Sequence, residues 1–198
     1  MKELLIGDCH FGTHTNKTLW LNTQIEFFEK QIYPLIDKVD RIVFLGDLFD
    51  IRYSTNTQVG IEVKNIIRHM LSYNKPIIIV AGNHDYYSPI ESLHKYNTYD
   101  LVFGKEFEDA YPNLYIVKEK PLLIDSSLFV PWYYTEEDVE RILFRLQRIA
   151  KYLPFVKHRQ VHFAIFAKSR PVHSKMARFC SRIQTLRGEP NAPLSIVA

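Results

Sequence analysis

Three short apolar runs, ELLIG from Glu3, RIVFLG from Arg41 and KPIIIVAG from Lys75, each end on a glycine followed at once by Asp8, Asp47 or Asn83. Runs this short and this apolar read as strands buried on both faces, the habit of a parallel sheet. Between the first two, Leu19, Ile25, Phe28, Ile32, Leu35, Ile36 and Val39 recur mostly at three- and four-residue steps, which predicts an amphipathic helix. Thr18 or Asn16 is placed to cap its start. Between the second and third, Val59, Val63, Ile66, Ile67, Met70 and Leu71 repeat the helical spacing. The resulting order, β-α-β-α-β, implies an α/β fold with a parallel sheet and right-handed crossovers.

Beyond the third run the pattern loosens. Pro89 to Asn97 reads as a short helix, LYIVKEK from Leu114 and LLIDSSLFVPW from Leu122 as further strands, and Glu136 to Tyr152 as a last helix. On that helix Val139, Ile142, Leu143, Leu146 and Ile149 would pack into the core, while Arg141, Arg145 and Arg148 lie on its other face. At 198 residues and 46% hydrophobic, the chain is sized for about one domain with a real core, which argues against intrinsic disorder. Its longest apolar runs fall far short of the ~20 residues a bilayer span needs. The stretch after Lys2 and Glu3 is too brief for a signal peptide, so a cytoplasmic protein is expected. Cys9 and Cys180 make no disulfide framework.

The formal net charge of +3 hides an asymmetry. Residues 1–138 hold 13 Lys+Arg against 20 Asp+Glu, a net of −7, whereas residues 139–198 hold 12 against 2, a net of +10. A basic strip of this kind can meet a nucleic-acid backbone.

In open α/β sheets ligands gather beyond the carboxyl ends of the strands, and the polar residues that break the apolar runs fall there. The first strand delivers Asp8 and His10 in GDCHFG, where extended alternation would point both side chains one way and Cys9 the other, toward the core. The second delivers Asp47 and Asp50 in GDLFD, and the third Asn83, His84 and Asp85 in GNHD. Carboxylate, imidazole and amide groups arriving together suit a borderline divalent ion such as Mn, Fe or Zn. Asp50 and Asp85 are read as anchors of a loop or of a neighbouring side chain. His14, near the first motif, and Arg52 and Tyr53, after the second, are candidate substrate contacts. His69 and His94 read as surface residues.

These motifs, DxH, GDxxD and GNHD in order on successive strand ends, resemble the calcineurin-like metallophosphoesterases. The resemblance implies the N-terminal part of that family's αββα sandwich and a two-ion site. It implies Asp8 and His10 on one ion, Asp47 between both, and Asn83 on the other. His84 would protonate the leaving oxygen or stabilise charge on the phosphoryl group, oriented by Asp85. Within the superfamily, GDLFDIR, the motif spacing and VPW from Val130 resemble the nuclease subunit of DNA double-strand-break repair complexes, with bacterial SbcD-type exonucleases and phage recombination endonucleases as the nearest likeness. That likeness implies DNA as substrate, two Mn2+ ions as cofactors and a coiled-coil ATPase as partner. A small-molecule phosphodiesterase or a protein phosphatase shares the same metal motifs.

The family completes its site with a later Gly-His and a Gly-His-x-His, and neither occurs here. VHFAIF from Val161 reads as the strand before the first of them, yet Ala167 and Lys168 stand where Gly and His are expected. His158, His162 and His173 are the histidines available nearby. The expected organisation is an incomplete metallophosphoesterase-like domain over residues 1–166 and a basic tail over 167–198, with six Lys+Arg and one acid. That tail is either divergent or the product of a frameshift; translating the coding DNA in its other two frames decides between them. The second function class to weigh is therefore a non-catalytic remnant that binds metal or nucleic acid.

Overall fold

The computed structural model describes residues 1–132 apart from 53–54, 89–94 and 126, and beyond them residues 137, 141, 144, 162–165 and 196–197; side chains are excepted at 15, 16, 128, 162–165 and 196–197. The chain divides into two compact units, Met1–Glu119 and Lys120–Ala198.

In the first unit β1 (Glu3–Ile6), β2 (Arg41–Phe44), β3 (Ile77–Val80) and β4 (Leu114–Val117) form a parallel sheet in that order. The three glycine-ended runs are its first three strands. All residues of β2 and β3 are buried, as strands covered on both faces must be. Glu3 and Arg41 are register partners at the start of β1 and β2, and their side chains form an ion pair there. Ile6 pairs with Phe44, and Phe44 with Ile79, so Gly7, Gly46 and Gly82 all fall just past one edge of the sheet. The residues after them therefore converge on a common site.

The two crossovers differ in how closely they follow the sequence pattern. The second contains α4 (Thr57–Leu71), with Val59, Val63, Ile66, Ile67, Met70 and Leu71 all buried. Its start is capped by the Asn56 side chain, which accepts the Gln58 N–H at 2.8 Å. The first crossover is broken into α1 (Thr13–Asn16), α2 (Thr18–Phe27), a π-helical turn over Phe28–Ile32, and α3 (Tyr33–Ile36). Neither expected cap holds: Lys17 occupies the cap position of α2 with no side-chain hydrogen bond, because α1 takes up Asn16 and Thr18 is already helical. The buried stripe is Leu21, Phe28, Ile32 and Ile36, while Leu19 and Leu35 are exposed. Pro34 has no N–H to donate, and the Tyr33 N–H reaches back five residues to the Phe28 carbonyl. The extra residue in that turn shifts the helical phase away from the regular spacing.

After β3, Tyr86 forms an antiparallel bridge with Asn97. The short helix expected over Pro89 to Asn97 lies largely outside the described residues, and at its end Tyr96 and Asn97 are not helical. Helices follow instead at α5 (Thr98–Val102), capped by the Asn97 side chain, and α6 (Gly104–Ala110), both too short to show a periodicity.

In the second unit β5 (Leu122–Ile124) and β6 (Ser127–Val130) form an antiparallel hairpin with Asp125 at φ 54 in its turn. β7 (His162–Ile165) lies parallel to β6, and β8 (Ile196–Val197) parallel to β7. The strand expected at VHFAIF is thus present. The helix expected over Glu136 to Tyr152, and Ala167 and Lys168, lie outside the described residues almost wholly. Among the described residues no helix is long and apolar enough to cross a membrane.

Candidate metal centre

Beyond β1 the backbone leaves the extended conformation. Asp8 and His10 sit at φ 48 and 47, in the left-handed region, so strand alternation does not set their directions. The loop is positioned from neighbouring segments. The His10 N–H donates to the Asp47 carbonyl and the Phe11 N–H to the Leu48 carbonyl, each at 2.9 Å. The Gln24 side-chain amide on α2 donates to the Cys9 carbonyl at 2.6 Å. His10 Nε2 then lies 3.7 Å from Asp8 Oδ1 and 3.8 Å from Asp47 Oδ2, and its Nδ1 lies 3.1 Å from Asp50 Oδ1.

The loops after β2 and β3 press together. A Cβ on Gly46, at φ 102, would stand 2.9 Å from the Gly82 Cα, and one on Gly82 would stand 2.3 Å from the Asp47 backbone nitrogen and Oδ1. Only hydrogen fits at either position. The contact lets the His84 N–H donate to Asp47 Oδ1 at 2.8 Å, which orients a carboxylate that is almost fully buried. Asn83 is buried beside it, at the head of the same turn.

The His84 ring is set by Asp50. Its Nδ1 lies 2.6 Å from the Asp50 carbonyl oxygen, so Nδ1 carries the proton in that bond and Nε2 is the nitrogen it leaves uncommitted. The ring meets that of His10 edge-on, with centroids 4.9 Å apart. The expectation that Asp85 orients His84 is corrected here. The Asp85 carboxylate, fully buried, accepts the Phe49 N–H at 3.2 Å, the Gly82 N–H at 2.8 Å and the Tyr99 hydroxyl at 2.6 Å. It ties together the loops after β2 and β3 and helix α5. Burial pushes its carboxyl up to about 7, against the opposing pull of those three hydrogen bonds. Burial likewise pushes the Cys9 thiol up to about 12, with Asp85 and Asp8 adding to the shift.

Among the described residues two sets of donors, Asp8 with His10 and Asp47, and His10 with Asp50 and His84, have their ligand atoms within 4.8 Å of one another. In the first set the two carboxylates and the imidazole fit a divalent ion of the borderline class, whereas in the second the Asp50 carbonyl already engages His84 Nδ1. The two sets share His10, whose buried Nδ1 lies near the Asp50 carboxylate without a hydrogen bond, while the Asp50 carbonyl engages His84. His14 and Arg52 belong to neither set. His14, at φ 53, is exposed and stacks on Trp20 with ring centroids 4.6 Å apart. Arg52 is half-buried and lines a separate cavity, while Tyr53 and His94 lie outside the described residues. Gln24 and Tyr99 carry no motif signal; each is one polar residue on a helix whose contacts with the loops exist only in the fold.

Among solved structures the chain is similar to a nuclease MPE of Pseudomonas putida, at 16% identity and a TM-score of 0.38, over 63% of this chain and 51% of that one. The chain thus spans about half the length of that nuclease. No curated protein matches it. Residues 1–177 match the family described as calcineurin-like phosphoesterase, a span that takes in β1 to β7 and every donor of both sets. On that match the chain belongs to the calcineurin-like phosphoesterase family.

Proposed function

We propose that this chain is a metal-dependent phosphodiesterase acting on DNA, a nuclease subunit of recombination or double-strand-break repair. The observation that carries this reading is the gathering of Asp8, His10 and Asp47 into one donor set with His84 alongside. Asp8, His10, Asp47 and Asn83 would hold the metal, as two Mn2+ ions in the complete form. Divalent ions there supply Lewis-acid charge for a phosphoryl oxygen and acidify water.

The side chains do the rest. Asp47 is fixed by the His84 N–H, so its carboxylate keeps one direction. His84, with Nδ1 tied to the Asp50 carbonyl, presents Nε2 to give a proton to the leaving oxygen or to pair with phosphoryl charge. The likeness of GDLFDIR and VPW to DNA-repair nucleases and the net +10 of residues 139–198 support DNA as the substrate. The same likeness supports a coiled-coil ATPase partner, and a metallophosphoesterase-like domain over residues 1–166 followed by a basic tail over 167–198.

One observation favours a second reading, a catalytically incomplete remnant: no Gly-His dipeptide occurs anywhere in the sequence. Incubation with linear duplex DNA and Mn2+ separates the two. The enzyme reading expects strand degradation that His84→Ala reduces by roughly 100-fold or more while Mn2+ affinity is kept. Mn2+ binding without hydrolysis of DNA, nucleotide or phosphopeptide would leave the remnant reading. Turnover of a nucleotide or phosphopeptide alone would reassign the substrate.

A further inference from the structure

A cavity of about 230 Å3 shares no lining residue with the two donor sets, and its wall includes Arg52, Thr55, Tyr87, Lys95, Tyr96 and Asp100. We propose that it is a subsite for one unstacked nucleotide of a single-stranded nucleic acid, with the Tyr87 and Tyr96 rings receiving the base and Arg52 and Lys95 its phosphate. The proposal deepens the phosphodiesterase reading and rests on it.

The two tyrosines are displayed from a rigid base. Tyr86 and Asn97 pair antiparallel, and the Tyr87 N–H donates to the Tyr96 carbonyl at 2.9 Å. Beneath them Tyr86 is buried, with its hydroxyl on the Lys118 carbonyl. Asn97 is buried too, its side chain accepting the Asp100 N–H at 3.0 Å and donating to Asp100 Oδ2 at 2.7 Å. Above this base Tyr87 and Tyr96 remain 47% and 54% exposed, an outlay of aromatic surface that the core does not use. Their rings stand edge to face at 6.4 Å. Two rings at this angle give an incoming base one face to stack on and one edge to abut.

The charges complete the match. Lys95 lies over the Tyr96 ring at 5.0 Å, and Arg52 enters from the loop after β2, two residues past Asp50. Asp100 is already engaged by Lys118 and Asn97, so the cavity's net character is cationic. Cations beside aromatic faces are the pattern of single-strand binding, because a base offers its face only when it has left the helical stack. The wall lies close in sequence to two of the three motifs, Arg52 two residues after Asp50 and Tyr87 two residues after Asp85, so the chain that carries the donors also carries the wall.

The test is fluorescence anisotropy of a short labelled single strand, with EDTA present to prevent cleavage. Tyr87→Ala with Tyr96→Ala should lower affinity at least tenfold, and Tyr87→Phe with Tyr96→Phe should restore it, since stacking needs the ring and not the hydroxyl. On an abasic deoxyribose-phosphate strand the alanine pair should change little, whereas Arg52→Gln should weaken both strands. Affinity within twofold of wild type in the alanine pair, or an equal loss on the abasic strand, would overturn the base contact. A blunt duplex bound as tightly as the single strand would overturn the single-strand preference. Wild-type hydrolysis of bis(p-nitrophenyl) phosphate with Mn2+ reports on the metal centre separately, so a failed phosphodiesterase reading and a failed subsite give different results.

Discussion

The loop after β1 and the loop after β3 supply residues to one site but are built to different standards. Asp8, from the first, is exposed, both its metal-motif residues are left-handed, and one side chain from α2, Gln24, holds it from outside. Asn83 and Asp85, from the second, are buried, and Asp85 alone ties in Phe49, Gly82 and Tyr99. The β3 loop is buried at its site residues, whereas the β1 loop is anchored in the core through Phe11 and leaves Asp8 exposed.

Substitutions can break or sharpen that contrast. The largest expected effect is Asp85→Ala, which strands three buried donors at about 1–3 kcal/mol each and should remove roughly 4 kcal/mol of stability in urea unfolding. Gly82→Ala comes next. Its Cβ would sit 2.3 Å from the Asp47 nitrogen and carboxylate, so about 3 kcal/mol of stability and most of the Mn2+ affinity should go together. Gln24→Met keeps the bulk of the side chain and removes its donor. It should cost about 1 kcal/mol of stability but roughly tenfold in Mn2+ affinity by calorimetry, a split that a structural role alone would not give. The smallest effect belongs to Gly7→Ala, whose Cβ meets only Leu45 at 3.9 Å and should shift stability by less than about 1 kcal/mol. Equal effects at Gly7 and Gly82 would erase the contrast.

The same contrast explains what the sequence revealed. Strands β1 to β4 and α4 were legible because apolar periodicity is a local signal, and all six residues of the α4 stripe are buried, whereas the turn that splits LLIDSSLFVPW into β5 and β6, and the two-residue β8, carry no such signal. The α2 region was not, since a π-helical turn before Pro34 shifts the phase that regular spacing assumes. Residue types in the three motifs pointed to the sheet edge where the donors meet, but not to their conformations. Asp8, His10 and Asp47 all have positive φ, which no strand pattern announces. Asp85 anchors loops as its residue type suggested, but the His84-orienting part that the family resemblance implied is absent from its bonds; its partners Phe49 and Tyr99 are distant in sequence, and a motif cannot show which neighbour a buried carboxylate faces.

Titration of metal-free protein with Mn2+, in parallel with Asp47→Ala and His84→Ala, tests the central claim most directly. The account predicts binding by the wild type, its abolition in Asp47→Ala, and an affinity within a few-fold of wild type in His84→Ala. Wild-type protein that takes up no Mn2+, or Asp47→Ala protein that binds it as tightly as the wild type, would contradict the account.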